Sequence, residues 1–137
     1  MNRADFQQLA RIRLREAKVL LDNGCYEGAY YLAGYAVECA LKACITKQIR
    51  RYDFPDRKFS SSIYTHNLVE LIKLAGLESD FQQRKANKDF DRNWATVKDW
   101  SEELRYKHGI TAANAKDFYA AVMNQRNGVM PWIRKWW

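Results

Sequence analysis

The sequence predicts an all-α fold, an antiparallel bundle of four to five helices in one domain spanning residues 1–137. Three observations carry that prediction. Apolar residues recur at spacings of three and four along most of the chain, no segment alternates apolar and polar residues as a half-buried strand would, and only six Gly and two Pro punctuate the sequence. A β-sandwich of this length needs many more turn residues. Hydrophobic residues form 47 % of the chain and aromatic ones 14 %, enough to fill one core and too much for a disordered segment.

Phe6, Ala10, Leu14, Ala17 and Leu21 fall on one helical stripe, with Arg11, Arg15, Lys18 and Asp22 on a neighbouring polar face. Asn23-Gly24 readily takes the left-handed conformation that ends a helix, so the first helix runs from about residue 4 to 22. The second, from Tyr26 to about Arg50, has no polar face, since apolar residues appear on every side between Tyr30 and Ile45. Such a helix is normally surrounded by others. Gly28, Ala29, Ala33, Gly34, Ala36, Ala40 and Ala43 let neighbours approach closely, which makes this the central helix.

Residues 51–64, with Pro55 and the serines Ser60 to Ser62, predict the longest irregular connection and the most mobile part. Thr65 is expected to cap a short helix carrying Leu68, Leu71, Ile72 and Ala75, which stops at Gly76. A charged segment follows, with Phe81, Phe90, Trp94, Val97, Trp100 and Leu104 at helical spacing and a stop at Gly109. Thr111 opens the last helix, with Phe118, Val122, Val129, Ile133 and Trp136 on one face. Gly128 and Pro131 should kink it, because proline cannot donate a backbone hydrogen bond.

The formal charge is +7, from 23 Lys and Arg against 16 Asp and Glu. A field of that sign concentrates anions, and nucleic acid is the commonest large anion in a cell, although excess charge also simply keeps a protein soluble. Arg84, Lys85, Lys88, Arg92 and Lys98 are interrupted by Asp89, Asp91 and Asp99, and Arg50, Arg51, Arg57 and Lys58 by Asp53 and Asp56. Each set reads as a solvated face. Cys25, Cys39 and Cys44 are odd in number and lack CxxC spacing, which fits neither a disulfide framework nor a zinc site. Reduced thiols, no metal and no cofactor are expected. The chain opens on polar, charged sequence, and its apolar runs fall well short of the roughly 20 residues of a membrane span. A cytoplasmic protein with no membrane contact is the expectation.

Glu38 and Lys42 stand four apart on the otherwise apolar central helix, side by side and in the favourable order. Burying two charges is costly, so something must offset it. One reading is an internal ion pair, joined by Arg105, that fixes helix register. The other is a polar pocket in which Lys42 and Arg105 hold phosphate while Glu38 orients them. His66, after the expected cap Thr65, reads either as a helix-start hydrogen bond or as a base lining that pocket. Tyr30, Tyr31, Tyr35 and Tyr106 can stack on a nucleobase, but an aromatic stripe on a central helix also serves as core. Trp132, Trp136 and Trp137 lie within six residues, and rings of that size pack on the bundle or form a dimer contact.

Four segments together resemble the HEPN domain (higher eukaryotes and prokaryotes nucleotide-binding). They are Ala29 to Ala43, then Thr65-His66-Asn67-Leu68, then Trp100 with Arg105-Tyr106, and Gly128-Val129-Met130-Pro131-Trp132-Ile133. Their order and spacing are those of prokaryotic proteins consisting of little besides this domain, and Tyr31 to Lys42 is the most specific stretch. The resemblance implies a bundle, often dimeric, acting as a toxin component, an RNA-processing nuclease or a noncatalytic partner. Many such proteins are encoded beside a minimal nucleotidyltransferase. Catalytic members carry Arg, four to six residues, then His, and the two act on an RNA phosphodiester across a dimer interface.

This chain departs from that motif. The positions where Arg would precede His66 hold Phe59, Ser60 and Ser61, and those before His108 hold Ser101, Glu102 and Glu103. Arg105-x-x-His108 is the nearest substitute: arginine can stabilise a pentavalent phosphate and histidine can move a proton near neutral pH. A solvated histidine at a helix end explains His108 as well. The sequence therefore reads as a noncatalytic module that binds nucleotide or RNA phosphate, or docks a nucleotidyltransferase in a toxin–antitoxin-type system. It is expected to be a homodimer, with Glu38, Lys42, His66, Arg105, Tyr106 and Tyr35 as binding residues. The alternatives are a metal-independent ribonuclease using Arg105 with His108 or His66, and a purely structural interaction protein.

Overall fold

Helix α1 (Arg3–Asp22) starts where the Asn2 side chain accepts from the Asp5 amide while the Asp5 carboxylate accepts from the Asn2 amide, so two of the amides left free at the helix start are satisfied. It buries Ala10, Leu14, Ala17 and Leu21, four residues of the predicted stripe. A short turn leads into α2 (Tyr26–Arg51), so the two helices pack antiparallel along their length. The computed structural model describes residues 1–51 and 64–137. Residues 52–63 hold most of the predicted polar connection and lie outside the described part.

Along α2, Ala29, Ala33, Ala36, Val37, Leu41 and Ile45 are all sealed from solvent, as the missing polar face implied. This helix touches α1 and four later elements: α3 (Leu68–Leu74), the 3-10 helix Glu102–Tyr106, α6 (Ala112–Met123) and α7 (Val129–Arg134). Its small residues make the contacts possible. The Trp100 indole lies in the space that a Cβ on Gly34 would fill, and its Nε1–H donates to the Tyr31 carbonyl at 3.2 Å.

The all-helical architecture is observed, and two of the predicted long helices are each broken into shorter ones. Asn67, not Thr65, caps α3: its side chain accepts from the Glu70 amide at 3.1 Å, while the Thr65 hydroxyl, two residues earlier, donates to the Glu70 carboxylate. The charged segment forms α4 (Glu78–Arg84), α5 (Lys88–Val97) and the 3-10 helix. Asn87 restarts the chain after α4, because its side chain accepts from the amides of Asp89 and Phe90.

Thr111 caps α6 as predicted, accepting from Asn114 at 3.1 Å. Beyond it the expected kink is a full break. The Asn124 side chain accepts from the amides of Arg126 and Asn127, and a Cβ on Gly128 would come within 2.6 Å of the Asn124 backbone. Pro131 therefore lies in the first turn of α7, where a missing N–H costs nothing. Arg84 donates to the Arg126 carbonyl and Asn127, and Asn93 to the Asn127 carbonyl, pinning the turn to α4 and α5.

Phe81, Phe90, Trp94 and Trp132 form an aromatic cluster with ring centroids 5.0–6.2 Å apart. Trp132 takes the core position expected of Trp136, which is exposed. Tyr30 stacks on Phe118 at 4.0 Å. Cys39 and Cys44 are buried free thiols, and desolvation pushes both up to about 12, which suits small apolar fillers. Among the described residues no helix is long and apolar enough to cross a membrane.

Candidate functional site

Glu38 sits midway along α2, flanked by Val37 and Cys39, with 2 % of its surface exposed. An unpaired carboxylate there would forfeit its hydration with nothing in return. Two bases prevent that. Lys42, one turn on, donates to Oε2 at 3.2 Å, and the Nδ1 of His66 lies 2.7 Å from Oε1. The i, i+4 spacing supplies the first contact and α3 supplies the second. His66 stands just before the α3 cap, where the Thr65 hydroxyl accepts from the Asn67 amide at 3.2 Å and holds the turn.

Lys42 is nearly as enclosed as Glu38, whereas the His66 side chain is 42 % exposed. With Nδ1 committed to Glu38, Nε2 on the far edge of the ring is left for another partner. His66 lines an open cleft of about 230 Å³ together with Thr65, Lys98, Trp100, Ser101 and Glu102. The cleft forms because the chain leaves the helix after Val97, and Trp100 turns inward against Gly34. Its lining combines a cation, an imidazole, two hydroxyls and a carboxylate over an aromatic wall.

Arg105 does not join this group. It is exposed on the 3-10 helix, and among the described residues no hydrogen bond or ion pair links it to Glu38, Lys42 or any carboxylate. Its guanidinium stacks 4.9 Å from the centroid of Tyr106, which together with Tyr31 pushes its pKa further up. The ion-pair reading and the pocket reading both placed Arg105 beside Lys42; it stands instead on the 3-10 helix, just past Trp100, which packs against Gly34 and the Tyr31 carbonyl in the first half of α2. Tyr106 is 76 % exposed.

Tyr35 is half-buried one turn before Glu38, near-parallel to Tyr31 at 6.2 Å, with the Arg13 guanidinium 5.9 Å from its ring centre. Burial pushes its phenol up. His108 is exposed beside Gly109, whose amide donates to Glu27 at 3.2 Å. Glu27 and Glu38 are three turns of α2 apart, about 16 Å along the axis, so the two histidines serve different regions. Arg105-x-x-His108 is a surface feature, not part of the cleft.

Lys98, Trp100, Ser101 and Glu102 are among the cleft residues that the sequence does not single out as a site. No local signal marks them, because Trp94, Val97, Trp100 and Leu104 keep helical spacing across the break after Val97. Among the described residues no group of His, Cys, Asp and Glu gathers as metal ligands. No curated protein and no solved structure matches the chain significantly. A family model does: the HEPN domain matches residues 5–136, and the chain belongs to the HEPN family.

Proposed function

We propose that this HEPN domain binds the phosphate of a nucleotide or of RNA in the cleft lined by His66. The observation that carries the reading is the buried carboxylate of Glu38 bonded to both Lys42 and His66. An imidazole held by a carboxylate has a fixed ring position and one open nitrogen. When protonated, that nitrogen donates to a phosphate oxygen in a charge-assisted hydrogen bond. Lys98 adds positive charge across the cleft. Glu102 and Ser101 offer partners for ribose hydroxyls or base amino groups, which favours a nucleotide over bare phosphate. The absence of the Arg-x4-6-His pattern supports binding without catalysis. The family resemblance further supports a homodimer that docks a minimal nucleotidyltransferase in a toxin–antitoxin-type pair.

A ribonuclease is the second reading, and the Glu38–His66 contact is what favours it. Neutral His66 with its Nδ1–H donated to Glu38 has a lone pair at Nε2, the arrangement of a general base. One experiment separates the two. Fluorescence anisotropy with a short labelled RNA is expected to give saturable binding that weakens as salt rises. It should weaken about tenfold in His66→Ala and in Lys98→Gln. Binding equally tight in both folded variants removes the proposal. RNA cleavage that survives EDTA and disappears in His66→Ala moves the assignment to the ribonuclease.

A further inference from the structure

We infer that Tyr106 and Arg105 form a stacking platform for an unpaired nucleobase, next to the His66 cleft, so that the ligand is a single-stranded chain. This rests on the cleft reading and extends it. Tyr106 ends the 3-10 helix Glu102–Tyr106, in which no residue is buried. Arg105 covers one face of its ring, at 4.9 Å from the centroid. A tyrosine that keeps 76 % of its surface while one face is covered has the other face open to solvent.

The platform shares the 3-10 helix with one wall of the cleft. Trp100 lines the cleft and lies 5.8 Å from Tyr31. Glu102 lies on the cleft wall and opens the same 3-10 helix. At about 2 Å of rise per residue, Tyr106 stands roughly 8 Å further along. Phosphate held at His66 and Lys98 thus leaves a neighbouring nucleotide within reach of the Tyr106 ring.

The chemistry suits a base better than a second phosphate. Glu102 and Glu103 sit on the same turn as Arg105 and dilute its positive field, with Lys107 beyond it. A π-face next to a guanidinium instead accepts any base by stacking, irrespective of sequence. A base within a duplex already has both faces occupied by its neighbours and offers none to Tyr106. Selectivity for unpaired strands follows.

The test compares a single-stranded RNA, a duplex of the same length and adenosine monophosphate on the full chain, by anisotropy or competition. Wild type is expected to prefer the single strand. Tyr106→Ala should weaken single-strand binding about tenfold, leave the duplex unchanged and erase the preference. Tyr106→Phe should keep it, because the ring and not the hydroxyl is needed. Single-strand binding unchanged in Tyr106→Ala, with loss in His66→Ala, overturns the platform and leaves the cleft reading intact. No binding of RNA or nucleotide by wild type overturns the cleft reading and the platform together.

Discussion

Glu38 is the residue on which the interior turns, because it is the one carboxylate placed among the apolar residues of the central helix. Lys42 and His66 supply the polar partners it would otherwise find in water. Removing one partner of such a pair strands the other in a poor solvent for charge, at a typical cost of about 3–5 kcal/mol. Glu38→Gln is therefore expected to lower stability by about 3 kcal/mol, measured by urea unfolding. Glu38→Gln/Lys42→Met should recover at least half of that loss, because no unpaired ammonium remains. Equal stability of wild type and the single variant would show that the pair contributes nothing. The Glu38–Lys42 contact was legible in the sequence, since both ends lie on one helix four apart. The contact to His66 spans 28 residues and depends on where α3 docks, which no local pattern encodes.

Among the elements, helix limits are clearest in the sequence where one physical signal acts alone. The stripe of α1 and the uninterrupted apolar character of α2 gave their limits to within about a residue. They are hidden where helical spacing continues across a break. Phe81 to Leu104 keeps a core-facing rhythm over two helices and a 3-10 turn, because each piece packs on the same core. The breaks come from Asn87 and Asn124, whose side chains capture amides that a continuous helix would use. The break after Val97 creates the cleft, with Trp100 seated against Gly34. Gly34→Ala is expected to force the indole outward, at a cost of about 1–3 kcal/mol, with a changed near-ultraviolet circular dichroism spectrum. Wild-type stability and spectrum in that variant would contradict the close approach.

On the scale of the whole molecule, α2 and the 3-10 helix place three kinds of group in sequence. A charged interior at Glu38 holds His66, His66 faces the cleft, and the Arg105–Tyr106 surface lies beyond it. The net charge of +7 brings anions to the surface but does not choose among sites. On the proposed reading the choice comes from an imidazole fixed at one nitrogen and open at the other. Because the chain contains two histidines, in different regions, this is directly measurable. With histidine ring nitrogens labelled with nitrogen-15, titration by a nucleoside monophosphate is expected to move the His66 ring resonances saturably. Those of His108 should stay in place. A His66 ring that does not respond at any nucleotide concentration, or a response at His108 alone, would contradict the account.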